Sequence, residues 1–379
     1  MADFDIGFDI PAVIGMPVAD IQTPALIIDL DAFERNVARM KTAAETMGVR
    51  LRAHAKTHKS ADIALYQMDH GGAVGICCQK VSEAEALVRG GVNDVLVANE
   101  ITHPAKIDRL ARLAQQARIS VCVDDAGVVP VLNETAARHG VRLDVLVEID
   151  CGGRRCGTLP GKPAVDLAAL VAASPNLVFA GIQAYHGNAQ HIYDPAERRA
   201  AIDAVLDMVR ETKAALEAAS IPCPMVTGAG TGTYNLEGTS GLYDEIQPGS
   251  YIFMDADYAR VGASDGKDTV GGFEHALFIL TSVMSKPASG RAVCDAGLKS
   301  HSVDSGLPLV FGLEGVRYLG ASDEHGNLAD PEDKLEINDM LRLVPGHCDP
   351  TCNLHDWFVG IRNGHVEALW PVTARGKIF

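Results

Sequence analysis

Positive charge is scarce in this chain: 33 Lys and Arg stand against 49 Asp and Glu, a formal net charge of −16. So acidic a chain does not hold nucleic acid by broad neutralisation of phosphates, and any anionic ligand has to be captured locally. No apolar run approaches the ~18 residues that suggest a membrane span. The N-terminal MADFDIGFDIPAVIGM has early acidic residues and no basic segment, so it does not read as a secretory signal. No paired CxxC framework for zinc is present. The nine cysteines are odd in number, and several lie inside strand-like runs such as ISVCVDD, which points to a reduced, cytoplasmic protein. Internal repeats and low-complexity linkers are also missing. What remains is ordinary globular composition, 47% hydrophobic and 22% charged over 379 residues, with ample length for a large core. That length fits two domains, or one large barrel with an attachment.

Along the middle of the chain, short β-rich runs alternate with longer helical patterns. The strand candidates are LRAHAK (51–56), AVGICC (73–78), DVLVAN (94–99), ISVCVD (119–124), LDVLVEI (143–149), LVFAGIQAY (177–185), PMVTG (224–228) and IQPGSYIFMD (246–255). Helices are predicted over 81–91, 104–116 and 196–219 from apolar residues at helical spacing. Strand–helix alternation implies parallel pairing with crossover helices, and eight such units fit a TIM barrel. TPALIIDL, before the helix DAFERNVARMKTAAETMG, is a ninth strand candidate, so it belongs either to the barrel or to another sheet. After about residue 265, runs such as HALFILTSVMS and DWFVGIRNGHVEALWPV indicate an antiparallel β domain. The expected division is a barrel over 32–262, with 1–31 and 263–379 forming the β domain.

Five stretches carry candidate chemistry. In 226-VTGAGTGTY-234, Gly228, Gly230 and Gly232 let backbone N–H groups converge on an anion, and Thr227 and Thr231 add hydroxyl donors. The loop follows the seventh barrel strand if TPALIIDL is excluded, where barrels often bind phosphate. It lacks the GK[ST] of a Walker A loop, and a flexible turn is the plain alternative. In PGHCDPTCNLHD, His347 and Asp349 would project to one side of an extended chain and suit Mn²⁺, Mg²⁺, Co²⁺ or Zn²⁺; a polar turn is the alternative. QAYHGNAQH ends the sixth barrel strand with Tyr185, His186 and His191 as acid–base candidates, or as structural groups. EIDCGGRRCG brings Arg154 or Arg155 to the barrel mouth, to meet a carboxylate or ring nitrogen or to pair with Asp150. Finally, strand geometry in RAHAKTHKS puts His54, Lys56 and His58 on one face. Lys56, inward at a strand end, is costly unless paired or used as a Schiff-base nucleophile; Lys59, on the other face, is expected to be solvated.

Taken together, HAKTHK, CCQKVSEAEAL, RCG, QAYHG, TGAGTG, GSYIFMDADY, DAGLKS, DEHG and PGHCDPTCNLHD resemble the D-threonine aldolase and D-serine dehydratase family from about Thr23 to Arg375. These are fold-type III pyridoxal-phosphate (PLP) enzymes with an alanine-racemase-like TIM barrel. IQTPALIIDLDAFERN and HDWFVGIRNG look especially like the 3-hydroxy-D-aspartate aldolases. The resemblance implies that Lys56 carries the cofactor, that Arg155 faces its pyridine nitrogen, and that the TGAGTG backbone receives its phosphate with Tyr258 or Gln79. It also places the metal on His347 and Asp349, maps Tyr185 and His191 to active-site positions, and assigns TPALIIDL to the β domain, leaving eight barrel strands. Where relatives have glycine, this chain has Arg154, which would add specificity for an acidic substrate or face solvent. His-x-Asp, where D-serine dehydratases tend to show His-x-Cys, favours an aldolase.

The resulting expectation is a metal-dependent lyase that splits D-3-hydroxy-α-amino acids into glycine and an aldehyde. The rivals are a D-serine or 3-hydroxyaspartate dehydratase, a non-catalytic PLP carrier, and a metal-free racemase. A homodimer is expected by resemblance.

Overall fold

The computed structural model describes residues 4–262 and 270–379. The first strand, β1 (Ala25–Asp29), leads directly into α1 (Leu30–Met47). Asp29 caps this helix by accepting from the Ala32 amide, and Gly48, at φ 70°, ends it in the left-handed conformation that glycine adopts without penalty. Phe33, Val37, Met40 and Ala44 recur at helical spacing and are buried.

Eight parallel strands then close a barrel: β2 (Arg50–His54), β3 (Ala73–Cys78), β4 (Asp94–Glu100), β5 (Arg118–Val123), β6 (Leu143–Ile149), β7 (Leu177–Ala184), β8 (Val226–Gly228) and β9 (Glu245–Ile246). Among the crossover helices, α2 (Val81–Arg89), α3 (Pro104–Leu113) and α4 (Pro195–Ala218) lie within a few residues of the expected segments. Both faces of the barrel strands are covered, so they read as near-continuous apolar runs. Inside, Cys77, Leu96, Ala98, Cys122 and Leu146 form one small cluster. Below it lies a buried charged layer, in which Arg52 pairs with Glu245 at 3.0 Å and with Asp94 at 2.6 Å.

The other sheet has nine strands: β1, β10 (Leu277–Ala288), β11 (Gly290–Cys294), β12 (Leu309–Val310), β13 (Arg317–Ala321), β14 (Gly326–Asp330), β15 (Met340–Val344), β16 (Trp357–Arg362) and β17 (His365–Pro371). Its main order is β13-β14-β11-β10-β1-β16-β17, and β15 joins β10 to β12. All its pairs are antiparallel except β1 with β16. TPALIIDL therefore belongs to this sheet, and the barrel keeps eight strands.

Three expectations are corrected. IQPGSYIFMD is strand only at its start: β9 stops at Ile246 and a 3₁₀ turn follows over Ser250–Ile252. There the backbone passes so close to β2 that a Cβ on Gly249 would sit 3.1 Å from the His54 carbonyl oxygen. LRAHAK ends as a strand at His54, and the chain turns through 55–58. Alternation does not propagate through a turn, so Lys59 is not solvated: at φ 53° its side chain runs inward, is 9% exposed and pairs with buried Glu83. Likewise, PGHCDPTC is not extended. A short helix spans Cys348–Cys352, with His347 at its N-cap position and Asp349 in its first turn.

Candidate active site

A cavity of about 300 Å³ opens at the C-terminal mouth of the barrel, where strand ends and loops converge. Lys56 enters it from the turn after β2, and its ammonium pairs with the Asp349 carboxylate brought in by the β domain. Burial disfavours the charge on each, but the partnership prevails. It holds Lys56 above the ordinary lysine range and, with His347 nearby, Asp349 well below the carboxylate range. His54, on the last residue of β2, lines the same cavity and contacts Gln79 at 2.9 Å. Burial, and then the Lys56 charge, push its pKa far down, so the imidazole is neutral.

Tyr185 and Arg155 form another wall, the guanidinium lying over the phenol ring at 5.5 Å. Arg155 makes no ion pair among the described residues, although its charge acts on Tyr185 and on Glu148. Burial raises the Tyr185 pKa against the opposing pull of Lys56 and Arg155, so its hydroxyl stays protonated. Arg154 is exposed at φ 48°, its amide donating to Asp150, and its guanidinium likewise has no ion-pair partner among the described residues.

The glycine loop divides. Gly230 and Thr231 line the cavity, and Tyr258 faces it from the segment after β9. Gln190 fixes this loop: its Oε1 accepts from the Gly232 amide and its Nε2 donates to Thr233 Oγ1, both at 2.9 Å. A Cβ on Gly230 would lie 2.5 Å from Gln190 Oε1, so glycine is what allows the close approach. Thr227 instead points into the barrel, donating to Glu245 at 3.0 Å and accepting from Gln247 at 2.7 Å. Gly228 packs on the Ala184 carbonyl, and the Gly232 amide is taken by Gln190. These three residues do not line the cavity.

His191 does not itself line the cavity: it lies in a 3₁₀ turn over Asn188–His191, its ring 5.4 Å from that of Tyr258, which does. Its Nδ1 bonds Asp257 Oδ2 at 2.5 Å, and buried Asp257 also accepts from Tyr193 at 2.7 Å and Arg260 at 2.6 Å. Donation from Nδ1 to this carboxylate leaves Nε2 as the free acceptor. His186 packs against Gly152 instead. His58 is fully buried behind the site.

His347 and Asp349 lie on the β-domain side. His347 Nδ1 bonds Asp304 at 2.8 Å, while Cys348 is buried with its amide on Asp255. Gln190, Asp257 and Asp304 were not singled out by sequence reasoning. Gln190 and Asp257 lie inside the quoted motifs QAYHGNAQH and GSYIFMDADY, whereas Asp304 carries no local signal.

The residues present fit two groups. A cavity with a lysine, an arginine and the Gly230–Thr231 backbone along its wall suits a phosphorylated pyridine aldehyde such as PLP. One imidazole and one carboxylate at its edge suit a divalent cation.

These features match known proteins. Residues 28–257 match the alanine racemase N-terminal domain and residues 276–361 a serine dehydratase domain, which defines the class as an alanine-racemase-like barrel enzyme. A 3-hydroxy-D-aspartate aldolase from Paracoccus denitrificans is 54% identical over 99% of this chain and 97% of its own. A D-threonine aldolase from Arthrobacter is 43% identical over 97% and 96%. The crystal structure of D-threonine aldolase from Filomicrobium marinum superposes with a TM-score of 0.94 at 49% identity, covering 97% of this chain and all of that one. The chain belongs to the D-threonine aldolase and 3-hydroxy-D-aspartate aldolase family of fold-type III PLP enzymes. Among the described residues, no helix is long and apolar enough to cross a membrane.

Proposed function

We infer that this protein is a PLP- and divalent-metal-dependent aldolase that cleaves D-3-hydroxy-α-amino acids to glycine and an aldehyde. D-Threonine would give acetaldehyde, and 3-hydroxy-D-aspartate would give glyoxylate. The observation that carries this reading is the meeting of Lys56 from the barrel with Asp349 from the β domain at one cavity. It unites a Schiff-base lysine with a metal-type carboxylate.

Lys56 would hold the cofactor, Arg155 would face its ring nitrogen, and Gly230 and Thr231 would receive its phosphate, with Gln79, Tyr185 and Tyr258 bounding it. His347 and Asp349 would hold Mn²⁺, Mg²⁺, Co²⁺ or Zn²⁺. When bound, PLP would supply an electron sink for the pair left on Cα, and the metal a Lewis acid for the β-hydroxyl.

The chain's own work is proton transfer and positioning. His191, oriented by Asp257, accepts the β-hydroxyl proton on Nε2, so that the Cα–Cβ pair stays with the glycine fragment as the aldehyde forms. Tyr185, kept protonated by burial, orients the substrate without competing for that proton. Returning a proton to Cα completes glycine. Arg154 is exposed and does not line the cavity, which favours a solvent-facing role over selection of an acidic substrate.

The exposed apolar side chains Val303 and Leu307, flanking the Asp304 that bonds His347, support a homodimer, and the unpaired cysteines support a cytoplasmic location. The reading is tested by assaying products from D-threonine and both 3-hydroxy-D-aspartate diastereomers, with and without EDTA. Glycine plus aldehyde, lost in EDTA, is expected. Ammonia plus a keto acid would instead identify a dehydratase, and PLP binding without turnover a carrier.

A further inference from the structure

We propose that Asp304 is a positioning residue for the metal: its carboxylate fixes the tautomer and orientation of His347. This rests on the reading of His347 and Asp349 as the metal pair.

A histidine can present only one lone pair to a cation, and its other ring nitrogen decides which one. His347 Nδ1 lies 2.8 Å from Asp304 Oδ2 and 3.4 Å from Ser305 Oγ. Toward a carboxylate the imidazole can only donate, so the proton sits on Nδ1 and the lone pair on Nε2. The carboxylate also makes the ring a stronger donor to a cation.

Asp304 is itself held. Its other oxygen, Oδ1, accepts from Ser302 Oγ at 2.6 Å, and the Asp304 amide donates back to that hydroxyl at 3.4 Å. The segment is anchored in turn: the Ser302 amide donates to Thr351 Oγ1, whose hydroxyl donates to the His347 carbonyl at 2.7 Å. Asp304 and His347 are therefore joined both through their side chains and through Thr351, which limits rotation of the imidazole. Asp349, in the first turn of the helix that His347 begins, is fixed on the same frame.

The test uses the PLP-loaded enzyme, stripped of metal, with Mn²⁺ binding measured by titration calorimetry. Asp304→Ala is expected to weaken Mn²⁺ binding by about 10–100-fold. Asp304→Asn, which keeps an acceptor but not the charge, should fall between it and the wild type. PLP content should be unchanged, and at saturating Mn²⁺ the Asp304→Ala enzyme should recover most of its turnover. If His347→Ala loses Mn²⁺ binding while Asp304→Ala and Asp304→Asn bind as tightly as wild type, the role given to Asp304 is wrong. If His347→Ala itself binds Mn²⁺ normally, the metal pair is wrong and the role of Asp304 falls with it.

Discussion

Replacing Glu83 by Gln isolates the worth of the buried charge behind the active site. Lys59 and Glu83 are 9% and 3% exposed and pair with each other. Glu83 Oε2 additionally accepts from the amides of Gln79 and Lys80, both at 2.9 Å, and so satisfies the start of the helix Val81–Arg89. The amide of Gln keeps the shape and one acceptor but leaves the Lys59 ammonium unpaired in the interior. Removing one partner of a buried pair costs about 3–5 kcal/mol. With a urea m-value of ~3 kcal/mol per molar, the unfolding midpoint should fall by ~1 M or more. Circular dichroism in urea on PLP-saturated protein reads this directly. The double variant Lys59→Met/Glu83→Gln removes both charges and should be closer to wild type than Glu83→Gln alone. The reasoning is refuted if Glu83→Gln unfolds at the wild-type midpoint, or if the double variant is the weaker of the two. Because Glu83 also anchors the backbone of Gln79, which touches His54, the single variant should bind PLP less tightly as well.

Lys56→Ala should lose both turnover and the visible absorbance of lysine-bound cofactor; an unchanged spectrum would remove Lys56 from that role. Asp257→Asn should lower kcat by about 10²–10⁴-fold, because an amide can donate to His191 Nδ1 and move the ring proton to Nε2. A kcat within threefold of wild type would show that Asp257 does not set the tautomer. Burial depresses the His58 pKa from 6.5 to about 3, so between these values the unfolded chain binds a proton that the folded chain refuses. His58 therefore contributes stability that is fully present above pH 6.5 and is lost on acidification, at up to about 1.4 kcal/mol per pH unit. His58→Asn should flatten the pH dependence of the urea midpoint between pH 7 and pH 5; identical profiles would contradict this.

Much of the site could be read locally. Lys56, Tyr185 and Gly230 follow the ends of β2, β7 and β8 by one or two residues, and Arg155 lies in the loop after β6, inside motifs where strand, turn and chemistry coincide. Local rules fail where the backbone changes character. Strand alternation stops at His54, where the turn redirects Lys59 inward. The glycine loop is not uniform, because Gln190 occupies the Gly232 amide. The contacts that orient the histidines were out of reach of local reasoning: Asp257 lies 66 residues from His191, and Asp304 43 from His347. Aspartates in polar loops carry no periodic signal that would single them out.

The sequence by itself determined the barrel, since strand–helix alternation admits few chain paths. It also determined the chemical identity of the lysine, arginine and glycine groups at the strand ends. Tertiary structure alone decided which groups share a charge. Lys56 meets Asp349 across 293 residues, and Lys59 turns inward to Glu83. Pairing of this kind depends on distance and burial in three dimensions, and neither is written in residue order.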